Sequence, residues 1–251
     1  MQGLKENEGR HLGDALNKMI VLIPTFNEML GIGQTIKEIV KELGRVEIVV
    51  VDNSMDGTAQ IAANQGAKVI KQLGRGKGNA VVEGLLHIKK DEPKWLVMTD
   101  GDYTYPAKYL PQMINVLTHR SDIGMVSGRP YLPYVERYTL WKRLKWVYFN
   151  PHCIFHRILN ALHRLLNGVN MAGPLSGLRV IRYKCIKDFQ PKSTAFDIEI
   201  EINCCIRKKG YKIAEIPVEV RHRMGIGKFQ RFKDGLVVLR RMIIIALSLA
   251  Q

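Results

Sequence analysis

Five short apolar runs alternate with segments of helical periodicity between residues 18 and 127. The runs span residues 18–24, 46–51, 67–71, 94–99 and 123–127. A continuous β-branched run such as VEIVVV needs apolar cover on both faces of its sheet. Strands that alternate with helices form a mostly parallel sheet between two helical layers. The chain is therefore predicted to be an α/β protein, and its 46% hydrophobic content excludes global disorder.

The helical patterns between and after these runs predict six helices. They span about 32–43, 58–65, 80–90, 106–117, 196–208 and 235–249, with Gly44 ending the first and Thr58 capping the second. Two further strands are predicted within 173–183 and over 212–220, and a basic loop is predicted over 221–233. The second half is thus less regular than the first.

Polar motifs follow four of the five predicted strands. TFNE follows the first strand, DNSMDG the second, DGD the fourth and SGR the fifth. Ligands of parallel α/β sheets bind outside the carboxyl ends of the strands. The four motifs are therefore expected to converge on one rim of the sheet and to form the functional site.

Asp100 and Asp102 stand one residue apart directly after the fourth strand. Two carboxylates so placed can reach one divalent cation, and Mg²⁺ or Mn²⁺ prefers oxygen ligands that it often shares with a diphosphate. A solvated turn is the alternative interpretation, because Asp is common in turns. The position at the rim favours a metal site.

The TFNE and DNS segments offer hydrogen-bond acceptors at the same rim. Pro24 fixes φ as the chain leaves the sheet, and Asn27 and Glu28 could accept from a ribose or a base. Asp52 could do the same after the second strand. Helix capping is the alternative for these residues, and it is the preferred interpretation for the segment 56–58 (DGT).

Two glycine-rich segments do not match the cofactor motifs that they suggest. Residues 74–78 (GRGKG) lack the first glycine of a P-loop and the Ser or Thr that follows its lysine. Residues 31–33 (GIG) lack the third glycine of a dinucleotide fingerprint. Close approach of the 74–78 backbone to a nucleotide, assisted by Lys77, stays open.

The formal net charge of +15 lies entirely in residues 129–251, because residues 1–128 carry equal numbers of basic and acidic side chains. Such a surplus predicts an anionic partner, which could be nucleic acid, lipid head groups or a phosphorylated substrate. No apolar run approaches the roughly 20 residues that span a bilayer. The polar N-terminus does not resemble a signal peptide, and four cysteines without CxxC spacing fit a reducing compartment.

Part of the surplus lies on amphipathic segments within 134–168. Leu, Trp, Tyr, Phe and Ile recur there at helical spacing beside Lys and Arg, with Pro151 between two halves. Cationic amphipathic helices that carry Trp lie flat in lipid interfaces. The alternative is a pair of helices packed on the sheet, because periodicity cannot distinguish lipid from protein core.

Eight segments together resemble the family 2 glycosyltransferases with the GT-A fold. They are VLIPTFNE, VVVDNSMDGT, GRGKGNAVVEG, VMTDGDYTYP, VSGRPY, GPLSGLRVIR, AFDIEIEI and EIPVEVRHRMGIGK, between residue 21 and about residue 228. The SGLR and FDIEIE segments make the chain most similar to archaeal dolichyl- and polyprenyl-phosphate hexose synthases, the dolichol-phosphate mannose synthase type. The resemblance implies a Rossmann-like catalytic domain over 18–228, after a polar extension over 1–17 and before an amphipathic helix over 229–251.

The resemblance also implies roles for individual residues. The nucleotide sugar would be held by Pro24, Thr25, Asn27, Glu28, Asp52, Lys77, Asp100, Gly101 and Asp102. The acceptor phosphate would be bound by Arg129, Arg143, Ser176, Arg223 and Lys228. Asp100 and Asp102 would hold Mg²⁺ or Mn²⁺ and, with Arg129, would be catalytic. Two positions depart from the family pattern: residues 52–54 (DNS) are shorter than its DDGS, and Thr104 stands where some members place a metal-binding Gln.

The implied reaction is inverting transfer of a hexose from a nucleotide sugar to dolichyl or polyprenyl phosphate, for protein glycosylation. A UDP-hexose is favoured over GDP-mannose, and the chain is expected on the cytoplasmic face of the cell membrane, bound peripherally. One alternative keeps the fold but uses a soluble acceptor. A second alternative, a nucleic-acid-binding module, is disfavoured because the sequence contains no RNA- or DNA-binding signature. A third, an inactive scaffold, is disfavoured because DGD and Arg129 are intact. Nothing in the sequence indicates the oligomeric state.

Overall fold

A computed structural model of the chain describes residues 19–131 and 151–249. Within these ranges seven strands form one sheet in the order β3-β2-β1-β4-β6-β5-β7. The strands are β1 (Met19–Thr25), β2 (Glu47–Asp52), β3 (Lys68–Lys71), β4 (Trp95–Met98), β5 (Ile123–Tyr131), β6 (Arg179–Arg182) and β7 (Lys212–Glu219). Only β6 runs antiparallel to its neighbours, β4 and β5. The predicted mostly parallel sheet is confirmed.

Seven α-helices connect or follow the described strands. They are α1 (Ile32–Leu43), α2 (Thr58–Asn64), α3 (Lys77–Ile88), α4 (Leu110–His119), α5 (Pro151–Asn167), α6 (Ile198–Lys208) and α7 (Arg231–Leu249). Short 3₁₀ helices occupy Ala107–Tyr109 and Tyr183–Cys185. Residues 132–150 lie outside the described residues; they include Arg143 and the first half of the predicted amphipathic segment over 134–168. The predicted extension over 1–17 also lies outside them.

Several predicted boundaries were wrong. Strand β5 continues four residues beyond the predicted end, since it pairs with β7 as far as Tyr131 opposite Glu219. Helix α3 begins at Lys77, earlier than the predicted residue 80, and α7 begins at Arg231, between the two predicted starts at residues 229 and 235. Thr58 does not cap α2, because Gly57, with φ 90°, precedes the helix without a side-chain cap.

Two apolar cores cover the two faces of the sheet. In β1, Ile20 and Leu22 face one core while Val21 and Ile23 face the other, as side chains alternate along a strand. Helices α1 and α4 cover one face, and α3, α5, α6 and α7 cover the other. The rim at the carboxyl ends of the parallel strands is thereby held between two packed layers.

His163 on α5 is buried where α5, α6 and α7 meet. Its Nδ1 lies 3.0 Å from Asn167 Oδ1, and the Asn167 amide donates to the Met242 carbonyl at 3.0 Å. Burial lowers the pKa of His163 to about 4, although the hydrogen bond to Asn167 opposes this shift. The imidazole is therefore neutral in the folded chain.

Acidification should destabilise the fold through His163. The unfolded imidazole takes up its proton near pH 6.5 and the folded one only near pH 4, so stability is complete above pH 6.5 and falls as the pH drops towards 4. The loss should reach about 3 kcal/mol. Urea unfolding at pH 7 and pH 4.5 checks this with a His163→Gln control. An equal loss in the control would contradict it.

Candidate active site

The carboxyl ends of β1 and β2 lie side by side and are joined by side chains. Thr25 pairs with Asp52 in the sheet register, and its hydroxyl donates to Asp52 Oδ1 at 2.7 Å. The Ser54 backbone N–H donates to Asp52 Oδ2 at 3.0 Å. Asp52 is only 4% exposed, so it organises the turn after β2 as well as facing the rim.

Asn27 fixes the turn after β1 against the turn after β2. Its φ of 53° is left-handed, a conformation that Asn tolerates better than most residues. Its backbone N–H donates to the Ser54 hydroxyl at 2.6 Å, and its Oδ1 accepts from the Met55 N–H at 3.3 Å. Neither α1 nor α2 has a side-chain cap, so helix capping by Asn27 or Asp52 is wrong. Asp56 does accept from the Thr58 N–H at 3.1 Å.

The first aspartate of DGD is paired with a partly buried lysine. Lys77 Nζ lies 2.7 Å from Asp100 Oδ1 and 2.7 Å from Glu199 Oε1. Burial alone would lower the pKa of Lys77, but the two carboxylates raise it well above its ordinary value. Lys77 is therefore a fixed cation beside the DGD motif, and its ammonium is shared between two anions.

The second aspartate of DGD lies in a cluster with the basic loop after β7. Arg223 Nη2 lies 2.9 Å from Glu28 Oε1 and 3.3 Å from Asp102 Oδ2. Lys228 contacts the same Glu28 oxygen and donates to the Asn27 carbonyl at 2.9 Å. Burial raises the pKa of Glu28, against the opposing effect of its two cations. The TFNE, DGD and basic-loop segments thus meet, although they are far apart in sequence.

The loop before β6 brings a fourth segment to the rim. A Cβ on Gly177 would lie 2.1 Å from Asp100 Oδ2, so only glycine allows this approach. Ser176 is 2% exposed beside it. The loop is held from below by Arg179, whose guanidinium donates to the carbonyls of Ser176 and Pro174, each at 2.8 Å.

Arg129 lies at the same edge of the sheet as DGD. Met98 of β4 and Ser127 of β5 both pair with Arg179 of β6, so these two residues lie at the same height in the sheet. Asp100 and Arg129 each follow two residues later, and they therefore stand at the same edge. Arg129 is exposed. Among the described residues no ion pair to its guanidinium is formed, in contrast to Arg223. The SGR motif therefore reaches the predicted rim, and no described side chain neutralises its cation.

The carboxylates fit a divalent cation shared with a ligand. Within residues 19–131 and 151–249 no group of three or more His, Cys, Asp or Glu side chains could hold a metal by itself. Mg²⁺ is commonly held by one or two carboxylates together with substrate phosphates, rather than by an all-protein cage. Asp100 and Asp102 supply such a partial set. In the structure their counter-charges are Lys77 and Arg223.

Three residues of the site had no role assigned from the sequence. They are Glu199, Gly177 and Arg179, which hold Lys77, approach Asp100 and support the loop before β6. All three lie in segments that carried the family resemblance, AFDIEIEI and GPLSGLR. The sequence of these segments does not show which of their side chains point towards the rim.

The glycines of the 74–78 turn pack against protein backbone, whereas the sequence left open a contact between this turn and a nucleotide. A Cβ on Gly76 would lie 2.3 Å from the Thr194 carbonyl oxygen, and one on Gly78 would lie 2.5 Å from the Ser193 carbonyl oxygen. These glycines therefore admit the backbone that leads into α6. The absence of a P-loop pattern agrees with this packing.

Comparisons with known proteins are consistent with this site. The Glycosyl transferase family 2 profile matches residues 20–188, more than half of the chain. A dolichyl-phosphate hexose transferase of Haloferax volcanii is 31% identical over 232 residues, which cover 92% of this chain and 94% of that protein. A dolichol-phosphate mannosyltransferase of Pyrococcus furiosus is 27% identical over 208 residues, covering 80% of this chain and 55% of that protein.

The fold also matches solved structures. A glucosyl-3-phosphoglycerate synthase from Mycobacterium tuberculosis, in complex with Mn²⁺, UDP and glucosyl-3-phosphoglycerate, superposes with a TM-score of 0.66 at 21% identity. The match covers 94% of this chain and 82% of that one. The predicted GT-A fold is thus confirmed. With the family profile and the Haloferax relative, these findings establish that the chain belongs to glycosyl transferase family 2.

Proposed function

We propose that this glycosyltransferase moves a hexose from a nucleotide sugar to dolichyl or polyprenyl phosphate, with Mg²⁺ or Mn²⁺. The observation that carries the proposal is the rim itself. There the DGD carboxylates stand after β4, and Arg129, which has no ion-pair partner among the described residues, stands at the same level of β5, with β6 between the two strands. The Haloferax dolichyl-phosphate hexose transferase, similar over 92% of the chain, supports the choice of acceptor.

The donor would lie between the turns after β1, β2 and β4. Its nucleotide would be held by Pro24, Thr25, Asn27, Glu28, Asp52 and Gly101, and Lys77 would act on it through its contact with Asp100. Asp100 and Asp102 would hold the metal, which when bound would neutralise the departing diphosphate. The Mn²⁺ and UDP in the mycobacterial complex support a divalent ion and favour a UDP-hexose.

The acceptor phosphate needs positioning more than deprotonation. Its second pKa is near 6, so it is largely a dianion at neutral pH. Arginine pairs with phosphate through two parallel hydrogen bonds and stays charged while doing so. Arg129 would hold the phosphate for direct in-line attack on the anomeric carbon, with inversion of configuration. The phosphate oxygen forms the new bond as the nucleoside diphosphate departs with the bonding pair.

We infer different roles for Arg129 and for the basic-loop residues Arg223 and Lys228, which the resemblance placed together at the acceptor phosphate. Arg223 and Lys228 contact Glu28, on the donor side, whereas Arg129 has no ion-pair partner among the described residues. Arg129→Ala should therefore raise the KM for the lipid phosphate at least tenfold, with the donor KM within threefold. Arg223→Ala should raise both. Steady-state kinetics with each substrate varied checks this; a donor defect alone in Arg129→Ala would contradict it.

A donor and acceptor panel tests the function directly. Nucleotide sugars would be incubated with a short-chain polyprenyl phosphate and Mg²⁺ or Mn²⁺, with mass detection of the lipid product. We expect one lipid-phosphate hexose, β-linked when the donor is α-linked. A parallel arm with glycerol 3-phosphate and free sugars tests a soluble acceptor, and turnover there alone would overturn the lipid assignment. Retention of configuration would overturn the mechanism.

The described structure offers one face suited to an anionic membrane. Helices α5 and α7 pack together, with Asn167 of α5 bonded to the Met242 carbonyl of α7. Their outer faces expose large apolar side chains: Ile154, Ile158, Leu165, Phe232, Leu236, Ile243, Ile244 and Leu247. Helix α5 carries no acidic residue, and α7 carries only Asp234. Among the described residues no helix is long and apolar enough to cross a bilayer.

Acidic substitutions on the apolar part of this face should release the chain from vesicles. Leu236 and Leu247 are 59% and 65% exposed on α7, and Leu86 on α3 is 64% exposed. Leu236→Glu/Leu247→Glu should reduce co-sedimentation with phosphatidylglycerol vesicles at least fivefold, whereas Leu86→Glu should not. Binding should also weaken as salt rises. Equal binding by both variants would contradict peripheral attachment through this face.

A further inference from the structure

One ammonium group connects the DGD motif to a buried carboxylate on another element. Lys77, the first residue of α3, bridges Asp100 and Glu199 with two contacts of 2.7 Å. The side chain of Asp100 is 28% exposed at the rim, whereas that of Glu199 is 3% exposed. The three groups form a path from the site into the interior.

We infer that Glu199 and Lys77 are positioning residues for Asp100, an inference that rests on the proposed donor and metal site. Among the described residues, Lys77 is the only one whose side chain donates a hydrogen bond to the Asp100 carboxylate. Asp100 belongs to a turn after β4, outside the sheet ladder. Its orientation therefore depends on where the Lys77 ammonium is held.

Glu199 is fixed firmly enough to hold that ammonium. It is the second residue of α6, and Asp197, directly before the helix, is bound by Arg241 of α7 at 2.8 Å. Asp197 is buried. The start of α6 thus cannot rotate without breaking this contact, and Glu199 keeps its place beneath the rim.

The charge balance gives Glu199 a second effect. One cation shared between two anions leaves the trio with a net charge of −1, so Asp100 can still attract a divalent ion. Neutralising Glu199 would give the whole Lys77 charge to Asp100 and raise the local charge by one. In a partly buried site, removing one unit of negative charge from this trio is enough to weaken the affinity of Asp100 for a divalent ion about tenfold.

The chain supplies a matched control on the same helix. Glu201 is buried, acidic and paired with a cation as Glu199 is, but its partner Arg241 belongs to α7 and not to the rim. Glu199→Gln and Glu201→Gln therefore remove the same charge from similar surroundings. Only the first should change the site.

The test measures nucleotide binding, without acceptor, by titration calorimetry with Mn²⁺ and either UDP or GDP. Glu199→Gln should weaken binding and raise the donor KM at least tenfold, with the acceptor KM within twofold. Glu201→Gln should bind within twofold of the wild type, whatever its stability. If the wild type binds neither nucleotide, the proposed donor site and this inference both fall. Wild-type binding by Glu199→Gln, or equal losses in both variants, would overturn the inference alone.

A double variant separates positioning from simple charge compensation. Lys77→Met/Glu199→Gln leaves no unpaired buried charge and keeps the net charge of the trio at −1. It should fold and bind Mn²⁺ with nucleotide within threefold of the wild type, yet turn over at least tenfold more slowly, because nothing holds Asp100. Full recovery of kcat would show that the pair is a dispensable counter-charge and would overturn the inference.

Discussion

Replacing Asp102 with alanine should lower kcat/KM at least about 10³-fold while the chain stays folded. Asp102 is 7% exposed at the rim, and its Oδ2 faces Arg223 at 3.3 Å. The variant loses one of the two carboxylates that fit a divalent cation. Its structural cost is small, because Asp102 accepts one local hydrogen bond, from the Thr104 N–H at 3.0 Å, and Arg223 keeps Glu28 as a partner.

Two companion variants make this result specific. Asp102→Asn retains an oxygen for the Thr104 N–H but not the negative charge, so it should be nearly as inactive as alanine. Asp56→Ala removes a carboxylate from the same rim. Within residues 19–131 and 151–249, this carboxylate accepts hydrogen bonds from the Thr58 N–H and hydroxyl and from the Met29 N–H. Its activity should stay within about threefold of the wild type. An active Asp102→Ala enzyme would refute the assignment of DGD.

Arg179→Lys should destabilise the fold by about 3–5 kcal/mol, despite keeping the charge. The guanidinium is fully buried and donates to Ser176 O, Pro174 O and, at 2.6 Å, Asn203 Oδ1. A lysine ammonium cannot reach three acceptors that lie in different directions. The abandoned carbonyls would be left buried without partners, at about 1–3 kcal/mol each.

Urea denaturation of the wild type, Arg179→Lys and Arg182→Lys checks this value. Arg182 lies on the same strand but is only partly buried, and water can replace part of its bonding to the Leu117 and Ile123 carbonyls. Its lysine variant should lose about 1 kcal/mol or less. Because Arg179 holds the loop that approaches Asp100, the folded fraction of Arg179→Lys should also be less active. A loss below 1 kcal/mol would contradict the role of Arg179.

Local patterns were sufficient to predict the first five strands and the rim motifs. A run such as 46–51 must be covered on both faces wherever it lies, and the end of a parallel strand places TFNE, DNS and DGD on one edge. Contacts across that edge confirm the convergence, as in the bond from Thr25 to Asp52. This much follows from hydrophobicity and chain direction alone.

The ends of helices and strands were harder to predict where the residues that pack against them are distant in the sequence. Helix α3 includes Gly78, a poor helix former, because the Ser193 backbone packs against that position. Strand β5 extends past Ser127 because β7, more than eighty residues later, supplies its partner. Neither partner can be identified from residues near the boundary.

The sequence by itself determined the α/β architecture, the edge of the sheet that carries the site and the two carboxylates that fit a metal. Each of these follows from short-range order, in which side-chain alternation and strand direction dictate position. Only the tertiary structure decided how the charges are shared. It placed Lys77 between Asp100 and Glu199, and Arg223 between Glu28 and Asp102, while Arg129 stayed without an ion-pair partner among the described residues. Such pairings join residues up to 195 positions apart, and only the packing of α6 and the loop after β7 brings them within reach.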